Sequence, residues 1–173
     1  QHDVHLLNLA LERYQNYQSL IEMCSQGVVH GDLFRDNVLF DHDEISGVID
    51  FYNAGSTAFL FDLAVLANDW AVNFDQLPSL FSKNESILDG IDLQNIYSEQ
   101  KLNALVQAYE SEKPFSKIEI DAWPRLLELA AFRFWLSRLK TKYLEGYQQD
   151  SKAGDVIKSP DAMKMIMLAA MAR

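Results

Sequence analysis

Asp32, Asn37 and Asp50 are three oxygen-bearing side chains set within one stretch of unusual chemical density. It runs His30-Gly31-Asp32-Leu33-Phe34-Arg35-Asp36-Asn37-Val38-Leu39-Phe40-Asp41 and resumes at Gly47-Val48-Ile49-Asp50-Phe51. An acid held on a loop accepts a proton from a hydroxyl, or orients it. Gly31, just before Asp32, permits a backbone conformation that other residues resist. Asn37 begins one short β-run and Asp50 closes the next. If Asp41 pairs with Ser46 across a four-residue turn, 42 to 45, Asn37 stands opposite Asp50, with Cβ atoms roughly 4.5–5.5 Å apart. One carboxylate and one amide oxygen at that spacing suit a hard cation, Mg²⁺ above all, that keeps waters and phosphate oxygens in its shell. A slip of one residue would put the two side chains on different faces. Between 30 and 50 the acids Asp32, Asp36, Asp41, Asp43, Glu44 and Asp50 face one base, Arg35. Such a cluster repels a polyphosphate until a divalent metal reverses the local potential. Taken singly, a loop Asp is most often a cap and an Asn before a strand a turn residue. Taken together, spacing, placement and ligand chemistry agree.

The flanking sequence must hold this stretch in place. A helix is expected near residues 4 to 24, where Leu7, Ala10, Leu11, Tyr14, Tyr17 and Ile21 follow the helical period, with Gly27 closing it as a C-cap. Val28-Val29, Val38-Leu39-Phe40 and Val48-Ile49 are short β-runs, with Asp41-His42-Asp43-Glu44 as the turn between the last two. No other region reads as β. Residues 59 to 74 are apolar on nearly every side, the mark of a buried helix. Further helices are expected at 92 to 110, at 121 to 145 (Leu129, Phe132, Leu136, Leu139, Tyr143) and from Pro160 to Ala172, with Pro in the first turn. The expected fold class is α+β and mostly α-helical, with a small β-hairpin carrying the metal site.

Composition narrows the function. The 173 residues carry a formal charge of −10, with 15 Lys and Arg against 25 Asp and Glu. Nucleic acid and anionic membrane both require a basic face and are disfavoured as partners. The longest apolar run, Met165 to Ala172, is far too short to span a bilayer. A single cysteine, Cys24, excludes an internal disulfide framework. The chain opens Gln-His-Asp-Val-His, with neither an initiator Met nor a basic-then-apolar leader. A cytoplasmic setting is expected, for a processed protein or a piece of a longer one.

The string H-G-D-x-x-x-x-N, followed a strand later by I-D-F, resembles the catalytic and metal-binding segments of kinase-like phosphotransferases of the aminoglycoside phosphotransferase and choline kinase type. His30-Gly31-Asp32 stands where protein kinases have His-Arg-Asp. Ile49-Asp50-Phe51-Tyr52 stands where they have Asp-Phe-Gly, and no Ala-Pro-Glu segment follows. Phe61-Asp62-Leu63-Ala64, Asn68-Asp69-Trp70 and Arg133 to Leu139 are similar to the homoserine kinase branch. The resemblance implies the C-terminal lobe of a protein-kinase-like fold, acting with ATP and Mg²⁺ on the hydroxyl of L-homoserine. Asp32 is then the catalytic carboxylate, Asn37 and Asp50 are the metal ligands, and His30 shapes the loop. Asp69 is a candidate for the acceptor's ammonium group, with Asp62 and Asn68 beside it. Arg133 and Arg138 are candidates for the acceptor's carboxylate. They are five residues apart, roughly 140° around a helix, so at most one is expected to face the site. Arg35 is expected to pair with Asp36 or a neighbouring acid, the alternative being an approach to the phosphates. Trp70 and Trp135 are expected in the core. No Gly-rich loop or Val-Ala-Ile-Lys-like strand precedes the motif. Residues 1–173 are therefore expected to form the catalytic and substrate lobe alone, weak or inactive without an N-terminal nucleotide lobe. The alternatives are a kinase for choline, a methylthio sugar or an aminoglycoside, and a binding module without catalysis.

Overall fold

In a computed structural model of the chain, which describes residues 2–77, 93, 95–144 and 159–173, the N-terminal helical period becomes α1 (His2–Glu22). Four short strands follow: β1 (Gln26–Val29), β2 (Val38–Asp41), β3 (Glu44–Val48) and β4 (Gly55–Ala58). Then come α2 (Leu60–Trp70), α3 (Glu99–Glu112), α4 (Lys117–Leu144) and α5 (Pro160–Met171). The described fold is mostly helical with small antiparallel sheets. Parts of two expected helices, residues 92, 94 and 145, lie outside the described residues.

Helix α4 is the axis of the packing and lies against α1, α2 and α5. It starts four residues before its apolar period suggests, because Ser116 and Glu119 form a capping box. Ser116 Oγ accepts from Glu119 N at 3.2 Å, and Glu119 Oε2 accepts from Ser116 N at 2.8 Å. Its buried face also differs from the stripe of large residues. Ala122, Leu126, Leu127, Ala130, Ala131 and Trp135 are fully buried, whereas Leu136 and Tyr143 are exposed. The alanines let neighbouring helices approach closely, a role that hydrophobic size alone does not reveal. Trp135 is in the core as expected. Arg13 of α1 grips Glu128 of α4 with two hydrogen bonds of 2.8 Å. Helix α2 is buried around most of its circumference, as its composition requires, but ends at Trp70 rather than 74.

The strands form two antiparallel pairs, β1 with β4 and β2 with β3. Strand β4, Gly55-Ser56-Thr57-Ala58, was not expected, since it has no apolar alternation. Gly27 is not a helix cap. It lies in β1 opposite Thr57, where a Cβ would run into the Phe59 ring. Among the described residues no helix is long and apolar enough to cross a membrane.

Candidate active site

The loop between β1 and β2 is fastened from beneath by a single carboxylate. Asp62, in the first turn of α2, accepts from His30 N at 2.6 Å and from Gly31 N at 2.7 Å. Two successive amides on one anion form short, charge-assisted bonds that fix the loop's direction. His30 fastens it from the side. Its Nδ1 accepts from Asp32 N at 3.2 Å, so Nε2 carries the proton and donates to Ile49 O at 2.8 Å. The Phe51 ring packs on the imidazole at 4.6 Å. Gly31 has φ +76, and a Cβ there would stand 2.6 Å from Asn53 O. Glycine is thus required for both its conformation and its lack of a side chain.

Asp32 is partly buried at the tip of this loop. Asn37 Nδ2 donates to its carbonyl at 2.8 Å, and Asn53 Nδ2 donates to its Oδ2 at 3.3 Å. Burial pushes the Asp32 carboxyl above the usual carboxylate range; Arg133 and His30 oppose this, while Asp36 and Asp50 add to it. Asp50 thus bears electrostatically on Asp32, and Asn37 is tied to Asp32 through its main-chain carbonyl.

The hairpin register is not the one expected. A two-residue turn at His42-Asp43 pairs Asp41 with Glu44, and a bulge shifts the pairing between Leu39 and Phe40, so that Leu39 faces Gly47 and Val38 faces Val48. Asn37 consequently meets Ile49, whose N donates to Asn37 O at 3.0 Å, and is not directly opposite Asp50. Asp50 lies just past the ladder in the left-handed region, φ 62 and ψ 62, with its side chain accepting from Tyr52 N at 3.4 Å. For a non-glycine residue that conformation costs roughly 1–2 kcal/mol, and Asp is among the residues that tolerate it.

Behind the loop, Arg35 joins Asp69, as structural pairing required, though across to α2 rather than to an adjacent acid. Asp69 is fully buried, and its Oδ2 accepts from Arg35 N at 2.7 Å and Arg35 Nε at 3.0 Å. Asn68 is also buried, with Nδ2 donating to Leu127 O at 2.9 Å and Oδ1 accepting from the Tyr97 hydroxyl. Both arginines of α4 bear on the loop, contrary to the helical-wheel expectation. Arg133 donates to Gly31 O at 2.8 Å and to Asn53 Oδ1 at 3.0 Å. Arg138 lies over the Phe34 ring at 5.8 Å; burial brings its guanidinium down to about 10, against the pull of Asp69, Asp32 and Asp36. Long side chains reach around the helix, which Cβ angles do not capture.

Asn53 was missed by sequence reasoning. Its only signal is position, three residues after Asp50. Asp62, expected beside the acceptor pocket, has its carboxylate on the loop amides of His30 and Gly31. Between β4 and α4 a cavity of about 230 Å³ opens beside Gly31, Asn53 and Arg133, with Ser56, Thr57 and Phe61 also on its wall.

The Asn37 amide nitrogen is engaged by the Asp32 carbonyl, so Oδ1 is the atom Asn37 could offer a metal, and Asp50 could offer carboxylate oxygens. Among the described residues no three His, Cys, Asp or Glu side chains are grouped to hold a metal. The donor set fits a hard cation that takes most of its shell from water and phosphate, and does not fit an all-protein cage.

A fastened acid near oxygen donors suits phosphoryl transfer, which asks the protein mainly for positioning and charge stabilisation. The model of the phosphotransferase enzyme family matches residues 5–115, and the chain belongs to that family. It is 43% identical over 118 residues to a homoserine kinase of Methylobacillus flagellatus, covering 68% of this chain and 31% of that one. It is 33% identical over 156 residues to a homoserine kinase of Methylobacillus glycogenes (90% of this chain, 41% of that one) and 43% identical over 111 residues to one of Pseudomonas aeruginosa (64% and 29%). The chain thus spans between 29% and 41% of the length of these relatives.

Proposed function

We propose that this chain is the catalytic and substrate lobe of a kinase that transfers the γ-phosphate of ATP to the hydroxyl of L-homoserine, a cytoplasmic step of threonine biosynthesis. The observation that carries the proposal is the fastening of the Asp32 loop, by Asp62 at the His30 and Gly31 amides and by His30 and Asn37 at Asp32 itself, within the electrostatic reach of Asp50. Phosphoryl transfer asks the protein mainly for positioning and for stabilisation of charge. Asp32 orients the acceptor hydroxyl and receives its proton. Asn37 and Asp50, on the hairpin, hold Mg²⁺, which when bound neutralises the phosphates. His30 keeps the loop in shape. Arg133 and Arg138 supply the positive field that favours an acceptor with a carboxylate. Asp69 was a candidate for the ammonium group; its burial and its bonds to Arg35 favour loop support instead.

The nucleotide lobe is assigned to polypeptide outside residues 1–173. The length of the relatives supports this, as does the apolar surface beside the site. Val28, Ile45, Phe51 and Tyr52 are exposed by 79%, 65%, 61% and 93%, values that suit a face covered by another part of the protein. Residues 1–173 by themselves are expected to bind Mg²⁺–nucleotide weakly and to turn over little.

The test is a product assay on the full-length protein with ATP, Mg²⁺ and a panel of homoserine, choline, a methylthio sugar and an aminoglycoside, read by ³¹P NMR. Homoserine phosphate as the dominant product is expected. Preference for another alcohol would reassign the substrate, and no product with any alcohol would favour a binding module.

A further inference from the structure

We infer that Asn53 and Arg133 form a brace that decides which oxygen of Asp32 serves the acceptor: Asn53 holds Oδ2 and leaves Oδ1 to the hydroxyl. Neither residue is assigned this role by the motif. The inference rests on the phosphotransfer reading above and adds a pair of positioning residues to it.

Hydrogen-bond polarity carries the argument. A guanidinium only donates, so the Asn53 atom facing Arg133 at 3.0 Å must be the carbonyl oxygen. That fixes the amide with Nδ2 toward Asp32 Oδ2, at 3.3 Å. The same guanidinium donates to Gly31 O at 2.8 Å, one residue before Asp32, so amide and loop are referred to one rigid fork on α4. The absent Cβ of Gly31 completes the arrangement, since the main-chain carbonyl of Asn53 occupies that space. With Oδ2 engaged, the acceptor O–H passes its proton to Oδ1 as its oxygen bonds to the γ-phosphorus, and the bond from that phosphorus to the ADP oxygen breaks.

Arg133 thereby acts through Asn53 and the loop, as a positioning residue. A loose hydrogen bond of this kind in a structure without substrate commonly tightens when substrate binds.

The experiment measures kcat and KM for homoserine and ATP in the full-length kinase. The variants are Asn53→Ala, Asn53→Asp, Arg133→Met, Arg133→Lys and the double variant Asn53→Ala/Arg133→Met. Asn53 is exposed, so its variants should fold; unfolding midpoints check this. Asn53→Ala should lower kcat about 10-fold, the loss of roughly one hydrogen bond from the transition state, with both KM values within about twofold. Asn53→Asp is nearly isosteric but sets a second carboxylate against Asp32, and should be the worse, at ~10²-fold. Arg133→Lys should recover part of what Arg133→Met loses. The double variant should be no slower than Arg133→Met alone, as expected for residues acting in series. Asn53→Asp as active as Asn53→Ala, additive losses, or a rise in homoserine KM at unchanged kcat on losing Arg133 would overturn the brace. A wild-type enzyme that does not phosphorylate homoserine would instead count against the kinase reading itself.

Discussion

Arg35 and Asp69 are joined three times: Asp69 Oδ2 accepts from the main-chain N and from Nε of Arg35, and Arg35 Nη2 donates to the Asp69 carbonyl at 2.7 Å. The carboxylate is fully buried, while the arginine side chain is 45% exposed. Removing one partner of a fully buried pair costs 3–5 kcal/mol. Here the arginine can rehydrate, and what is lost is chiefly the acceptor for a main-chain N–H. Asp69→Ala is therefore expected to destabilise the fold by about 2–3 kcal/mol. Urea unfolding of wild type and variant checks it, and a difference below ~0.5 kcal/mol would place the pair among ordinary surface bridges.

Gly31→Ala tests the closeness of the Asp32 loop and the turn at Phe51–Asn53. The substitution places a methyl 2.6 Å from a main-chain oxygen at φ +76. Left-handed strain is worth roughly 1–2 kcal/mol, and relief of the overlap requires the loop to shift. The expected outcome is a modest loss of stability with at least ~10-fold lower kcat, since small misplacements at a reacting group are costly. Steady-state kinetics alongside a thermal melt separates the two effects.

Much of the candidate site is legible in the sequence because its spacing is local. Asp32, Asn37 and Asp50 declare themselves through strand ends and a single loop, and His30 and Gly31 through their adjacency. What the sequence hid was long-range or geometrical. The hairpin register comes from a two-residue turn, with His42 at φ 56, and from a separate bulge, neither of which a hydrophobic pattern encodes. Asn53 acquires meaning only when α4 brings Arg133 back across 80 residues. Strand β4 is defined by its partner β1 rather than by its own composition. The helices were readable from their periods, but α4 owes its start to Ser116 and Glu119, and its buried face to alanines that carry little hydrophobic weight.

Glu119 gives a pH-dependent test of the fold. Burial pushes its carboxyl up, but hydrogen bonds from Ser116 and Ser25 outweigh this and hold it below the ordinary value of 4.5. A carboxyl depressed in the folded state stabilises fully above its unfolded pKa and loses that contribution as pH falls through the folded value. Glu119→Gln should therefore be clearly less stable than wild type at pH 7, and the gap should close as the pH is lowered below 4.5. Unfolding free energies at several pH values check the sign; a gap that widens on acidification would refute the assignment.

The most direct measurement is the turnover of Asp32→Asn in the full-length protein with saturating Mg²⁺–ATP and homoserine. The substitution keeps the shape of the loop tip and removes its capacity to take a proton. Proton transfer by a positioned side chain is worth typically 10²–10⁴-fold, so kcat should fall by at least ~10² with little change in the KM for ATP. Unchanged turnover would contradict the account, because the loop held by Asp62, His30 and Asn37 would then present a carboxylate that the reaction does not use.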